Sequence, residues 1–247
     1  MFFTKCFLQN GFYKMFYAKY FMQNVFYQEL RKDYTIIMSE IIIREAIPED
    51  IPAIKDTVRD VWDWEEVFES DELLNACIAL YFSPVLHEAT FGRVAVLDGK
   101  VVGVVFASVE GEPPGYKHLL EDLSPYILTL LQSTDSDRKS IFDYITKTSN
   151  VYRELISGVE EQYDGTLEFL ALSESAQGKG IGKKLWLEAK SYFEEKNASR
   201  IYLYSDSECN FEFYDSQGFK KRREREICFD FDGEKEISQQ YLYEYDL

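Results

Sequence analysis

The stretch Gln177-Gly178-Lys179-Gly180-Ile181-Gly182-Lys183 restricts what this chain can fold into more than any other. An apolar run, Leu167 to Leu172, precedes it. After it, Ile181, Leu185, Ala189, Tyr192 and Phe193 recur at three- and four-residue spacing, which predicts a helix from about Gly182 to Glu195 with one buried face. The order is therefore strand, glycine loop, helix. At a helix N-terminus the first amides lack intrahelical partners and the dipole adds roughly half a positive charge, so the loop can cradle a phosphate or pyrophosphate. Lys179, Lys183 and Lys184 add positive charge at the same place.

Spacing separates the known phosphate loops. A Walker A loop would need glycine where Gln177 stands and a hydroxyl residue where Lys184 stands. The dinucleotide fingerprint would need a third glycine at Lys183. The pattern that fits is Gln/Arg-x-x-Gly-x-Gly/Ala after a strand, joined downstream by Phe213-Tyr214-Asp215-Ser216-Gln217-Gly218-Phe219. Together these resemble the acyl-CoA loop and the Phe-Tyr-x-x-x-Gly-Phe block of the GNAT superfamily of N-acyltransferases.

The resemblance implies an α/β fold: a mixed, mostly antiparallel central sheet flanked by helices, over residues 38–247. It implies transfer of an acetyl group from acetyl-CoA to an amine by direct attack in a ternary complex. Backbone amides of Gln177, Gly178, Lys179, Gly180, Ile181, Gly182 and Lys183 would hold the pyrophosphate, and the pantetheine arm would lie along Leu170, Ala171 and Leu172. Tyr214 matches the position of the phenol that protonates the departing thiolate. Ser207 stands where many members carry an asparagine that touches the cofactor. A base must also deprotonate the amine, whose pKa near 10 leaves it charged at neutral pH. Members often place a glutamate where Thr166 stands; Glu168, two residues on, is the candidate here, since alternation puts both on one strand face.

The rest of the chain fits that frame. Ile41 to Ile43 read as a first strand; Pro48 to Trp62 and Asp71 to Phe82 as helices; Arg93–Leu97 and Lys100–Val109 as a hairpin turned by Asp98-Gly99. Residues 111–164 form a helical insertion between the third and fourth strands, with two halves separated by the polar stretch Ser133 to Ser140. It reads as a decoration packed on the sheet or on a second copy, which makes a homodimer an expectation, or as a lid over the acceptor. Thr166 to Leu172, Arg200 to Tyr204, Phe219 to Phe231 and a stretch around Tyr241, Tyr243 and Tyr245 are the remaining strands, and Glu208 to Gln217 a helix ended by Gly218.

Composition narrows the function. Residues 1–37 hold twelve aromatics and a net charge of +3, so residues 38–247 carry −20 of a chain total of −17. That disfavours nucleic acid and favours a small cationic amine. The aromatic segment reads as an extension ahead of a true start at Met38, or else as a membrane-surface helix of aromatics and lysines. Acids between Asp60 and Glu72 flank Trp62 and Trp64, either a solvated helix end or a wall that attracts cations. No apolar run reaches the length of a membrane span, four scattered cysteines give neither a disulfide framework nor a zinc knuckle, and two histidines argue against a metal site. No membrane partner and a cytoplasmic location are the expectations. Two other readings stay open: a non-catalytic CoA sensor or interaction module of the same fold, and an ATP or nicotinamide protein.

Overall fold

The computed structural model describes residues 41–62, 70–231 and 234–247. The aromatic extension, the start at Met38, most of the acid-rich stretch around Trp64 and the Asp232-Gly233 turn lie outside the described residues.

The elements run β1 (Ile41–Glu45), α1 (Ile51–Trp62), α2 (Asp71–Glu88), β2 (Phe91–Leu97), β3 (Lys100–Val109), α3 (Ser124–Gln132), α4 (Asp135–Ile156), β4 (Gly165–Leu172), α5 (Ile181–Glu195), β5 (Arg200–Asp206), α6 (Phe211–Gln217), β6 (Lys220–Phe231) and β7 (Glu234–Asp246). The strands form one sheet in the order β1-β2-β3-β4-β5-β7-β6. Only the central β4–β5 pair is parallel; the other neighbours are antiparallel. This is the mixed, mostly antiparallel sheet flanked by helices that the sequence implies.

Two cores lie on the two faces of the sheet. Ile181, Leu185, Trp186, Ala189 and Phe193 of α5 pack with Val105, Leu167, Ile201 and Leu203 on one face. The buried set differs slightly from the periodic one: Trp186 replaces Tyr192, which is only half-buried and donates its hydroxyl to Thr90 Oγ1 at 2.6 Å. Each large side chain buried there contributes about 1.5–3 kcal/mol of transfer free energy. On the opposite face Ile51 and Ile54 of α1 and Phe82 and Leu86 of α2 meet Val94, Val104, Phe106 and Ala171.

Local chemistry moves several boundaries. Helix α2 passes Phe82 and Pro84 to end at Glu88, because Leu86 keeps the last turn buried against the sheet. The break inside the insertion shrinks to Ser133 and Thr134, since the Thr134 hydroxyl accepts from the Asp137 amide at 3.1 Å and starts α4 at once. Helix α6 begins at Phe211 instead of Glu208: the Asp206 carboxylate accepts from the amides of Glu208 and Cys209 at 2.9 and 2.8 Å and holds that segment as a turn. Strand β7 starts at Glu234, well before Tyr241, because it pairs along all of β6.

Helices α3 and α4 come between β3 and β4. Leu130 of α3 and Ile141 of α4 pack on Leu73 and Cys77 of α2. Helix α4 then crosses the outer strands on the α1–α2 face of the sheet. Tyr144 rests on Phe229 of β6, Leu155 packs on Leu242 of β7, and Tyr152 stacks on Tyr204 of β5. Arg223 of β6 donates to the carbonyls of Leu155 and Ser157 at 2.9 and 2.8 Å, which pins the end of α4 to the sheet. No described helix is long and apolar enough to cross a membrane.

Candidate active site

The glycine loop enters α5 through two left-handed residues, Gly178 with φ 71° and Gly180 with φ 73°. An L-residue pays roughly 1–2 kcal/mol to sit there. A Cβ at either would meet nothing within 4 Å, so no side chain stands between the loop backbone and an approaching anion. Gly182 has a different role: a Cβ there would come within 3.0 Å of Leu172 Cδ1, so its absence lets α5 start directly against the end of β4. Ile181 is buried below, while Gln177, Lys179, Lys183 and Lys184 are exposed around the loop.

Strands β4 and β5 pair only at Gly165–Ile201 and Thr166–Tyr202. The Asp164 carboxylate accepts from the amides of Ser199 and Arg200 at 2.7 and 3.1 Å, which clamps both strands at that end. Beyond Thr166 the strands diverge. Leu170, Ala171 and Leu172 stay in register with β3 but have no partner on β5, so the β5-facing edge of β4 is open beside the glycine loop.

Glu168 sits where β4 is irregular. Leu167 pairs with Ala107 and Phe169 with Phe106, which leaves Glu168 as an extra residue, a β-bulge. Ser108 Oγ donates to Glu168 Oε1 at 2.5 Å. Burial pushes the Glu168 carboxyl up to about 7, against the pull of the Ser108 hydrogen bond and with a smaller push from Glu88. A carboxyl balanced near neutrality beside an open strand edge suits a general base. Thr166, on the same face, is tied instead to the Tyr202 hydroxyl.

Tyr214 lies on α6, half-buried, with its ring against Phe219 and Tyr243. Burial, and then Cys209 and Asp206, push its phenol well above the usual tyrosine value, which keeps it protonated. Its hydroxyl has no hydrogen bond among the described residues, and the Gly218 cap at φ 94° holds the turn behind it. Ser207 is committed elsewhere: its hydroxyl accepts from the Gln239 amide at 3.1 Å and donates to Glu208 at 3.1 Å. The basic run after Gly218 is largely paired, Lys220 with Asp246, Lys221 with Glu224 and Arg222 with Glu244, while Arg223 holds α4. Burial and Asp206 raise the Cys209 thiol far above its ordinary range, which suits a buried residue and not a nucleophile.

A model of the acetyltransferase (GNAT) family matches residues 54–219, well over half of the chain. The chain belongs to the GNAT family. Solved structures of similar fold include the PaiA N-acetyltransferase from Thermoplasma acidophilum in complex with coenzyme A, at 18% identity and TM-score 0.46, covering 84% of this chain and 99% of that one. The ribosomal-protein-S18-alanine N-acetyltransferase from Escherichia coli matches at 11% identity and TM-score 0.48, covering 84% and 94%. An N-acetyltransferase from Staphylococcus aureus Mu50 matches at 16% and 0.47, covering 84% and 99%. No curated sequence matches the chain.

Membership in the GNAT family makes this protein a transferase by class. The family match spans the glycine loop, the splayed strands, Glu168 and Tyr214. Several residues near this GNAT site do not stand out in the sequence. Ser108 lies on β3, sixty residues from the carboxylate it meets. Tyr81 on α2, Tyr144 and Tyr152 on α4, and Tyr204 and Asp206 on β5 are drawn to one face by the sheet. The alternation Tyr202-Leu203-Tyr204-Ser205-Asp206 and the four-residue spacing of Tyr144, Thr148 and Tyr152 are the signals that could have found them.

Proposed function

We propose that this GNAT protein transfers an acetyl group from acetyl-CoA to the primary amine of a small cationic acceptor, by direct attack with both substrates bound. The observation that carries the reading is Glu168, a carboxyl that titrates near neutrality on the bulge where β4 leaves β5.

The open backbone around Gly178 and Gly180 fits a pyrophosphate, and the unpaired edge at Leu170, Ala171 and Leu172 fits an extended amide-bearing arm and then an oxyanion. The acceptor arrives as an ammonium on the Ser108–Glu168 face. Glu168, ionised, takes a proton from it, directly or through a water. The freed amine attacks the thioester carbonyl carbon, the C–N bond forms, the C–S bond breaks, and the nitrogen gives up its second proton to water. Tyr214 gives its proton to the leaving thiolate and regains one from solvent. The excess of acid over base in the chain favours a cationic acceptor.

The test is free-thiol release from acetyl-CoA with polyamines, amino acids, aminoglycosides and peptide N-termini, with acetylated product identified by mass. Turnover with small cationic amines is the expected result. CoA binding with no thiol release for any amine would replace this reading with that of a sensor.

A further inference from the structure

The insertion helix α4 lies over β5, β7 and β6, and its underside is not wholly apolar. Tyr144 packs on Phe229 of β6 at a ring separation of 5.0 Å, and Tyr152 stacks on Tyr204 of β5 at 4.1 Å with planes 3° apart. Thr148 falls midway between them on the same helix face, four residues from each. It therefore lies over β7, the strand between β5 and β6. There the residues that share a face with Leu242 are Ser238 and Gln240.

Thr148 is 7% exposed and Gln240 3%. Neither the Thr148 hydroxyl nor Gln240 Oε1 has a hydrogen-bond partner among the described residues. A buried helical threonine ordinarily donates to the carbonyl one turn back, and a buried amide oxygen ordinarily accepts something. Gln240 Nε2 is already spent on Ser238 Oγ at 2.9 Å, which leaves its oxygen to receive a donor from elsewhere. Asp206 pairs with Gln240 across the β5–β7 ladder. Tyr81 of α2 lies within electrostatic reach of Tyr144, Tyr152, Asp206 and Tyr214. The groups gathered here are a carboxylate, an amide oxygen, hydroxyls and aromatic rings. Together they offer hydrogen-bond acceptance and negative potential, the complement of an ammonium.

The seam lies further along the same face of the sheet as the proposed acceptor site. Thr166 and Tyr202 are level with one another. From that level Glu168 is two residues along β4 and Asp206 four residues along β5, so Asp206 lies roughly 7 Å further on at ~3.3 Å per residue. Tyr204 stands between, and the Glu168 charge is among the groups that raise its phenol.

We infer that the seam between α4 and strands β5 and β7, lined by Thr148, Gln240, Asp206, Tyr144 and Tyr152, binds a second ammonium of the acceptor. The substrate class is thus a flexible diamine or a diamino compound, held at one end by the seam and acetylated at the other beside Glu168. This rests on the acetyltransferase reading and narrows its acceptor. The insertion thereby acquires a function, since α4 supplies one wall of the specificity site.

The test compares α,ω-diaminopentane with aminopentane, two amines of equal length that differ by one charge. Calorimetry on the full chain with CoA present is expected to show the diamine binding at least tenfold more tightly. Thr148→Val deletes one unpartnered hydroxyl at almost constant volume and is expected to fold at least as well as wild type. Asp206→Asn keeps an acceptor for the Glu208 and Cys209 amides and removes the charge. Each is expected to cut the diamine preference severalfold and to raise KM for the diamine more than for the monoamine. Equal binding of the two amines, or an undiminished preference in both variants, would overturn the inference and leave the seam as a water site. Acetyl transfer to both amines with the same KM would do so too while leaving the transferase reading intact. Diamine-selective binding with no acetyl transfer would uphold the seam and remove the transferase reading instead.

Discussion

Ser108 on β3 donates a hydrogen bond to Glu168 at the bulge of β4, and the two residues are sixty positions apart in the chain. The bulge turns Glu168 and Phe169 toward the same face, so the carboxyl leaves the ladder and meets the serine beside the splayed edge. Burial lifts the Glu168 carboxyl against the pull of that hydrogen bond, and the pairing fixes where the carboxyl stands.

The first prediction concerns stability. Glu168 titrates at about 7 in the folded chain against an ordinary 4.5. Between those values the folded chain keeps a proton that the unfolded chain has lost, so stability contributed by this group is present at low pH and declines as pH rises from 4.5 to 7. Above that window the ionised, desolvated carboxylate costs about 3 kcal/mol. Glu168→Gln keeps an acceptor for Ser108 and abolishes the titration. Its melting temperature is expected to match wild type near the acid end and to exceed it by several degrees in the alkaline range, in scans run across pH.

The same substitution tests the chemistry with the opposite sign. Wild-type kcat/KM is expected to rise through a pH near 7 as Glu168 ionises, with Glu168→Gln reduced by about 10² and without that inflection. A Gln variant with the wild-type pH profile would move the base to another residue.

Tyr214→Phe keeps the ring against Phe219 and Tyr243 and removes only the proton. Acetyl-CoA affinity is expected to hold while single-turnover acetyl transfer slows by about 10², the lower end of general acid catalysis, since water partly substitutes. A pure packing role predicts unchanged transfer with any cost appearing in stability.

At Gly180, φ is 73° and a Cβ would point into open space. Aspartate tolerates that backbone better than most residues, so Gly180→Asp is expected to fold at a cost of about 1 kcal/mol. It places a negative charge where an anion must meet the α5 amides. CoA affinity by calorimetry is expected to fall more than a hundredfold, with far-UV circular dichroism unchanged; retained affinity would move the pyrophosphate away from this loop.

The attachment of α4 can be weighed by two truncations, one buried and one exposed. Leu155 is 0% exposed against Leu242, whereas Leu128 on α3 is 56% exposed. Leu155→Ala is expected to cost about 2–5 kcal/mol in urea denaturation. Leu128→Ala should stay within ~0.5 kcal/mol. If both are neutral, α4 does not share the cooperative fold of the sheet.

The glycine loop, its helix, the Phe-Tyr block and the strand alternations are legible in the sequence because they are local. Phosphate loops depend on residues within seven positions of each other, and an amphipathic helix shows its buried face in its own spacing. Glu168 and Tyr214 became candidates through the family resemblance that those local patterns carry. What the sequence could not show was non-local. The bulge at Glu168 is a relation between two strands, and the burial that lifts its carboxyl comes from elements far away in the chain. Trp186 enters the core because a neighbouring row of α5 also meets the sheet. Thr148 and Gln240 are unremarkable polar residues in the sequence, ninety-two positions apart. Only the crossing of α4 over β7 buries both without partners, and desolvation is what makes such groups informative.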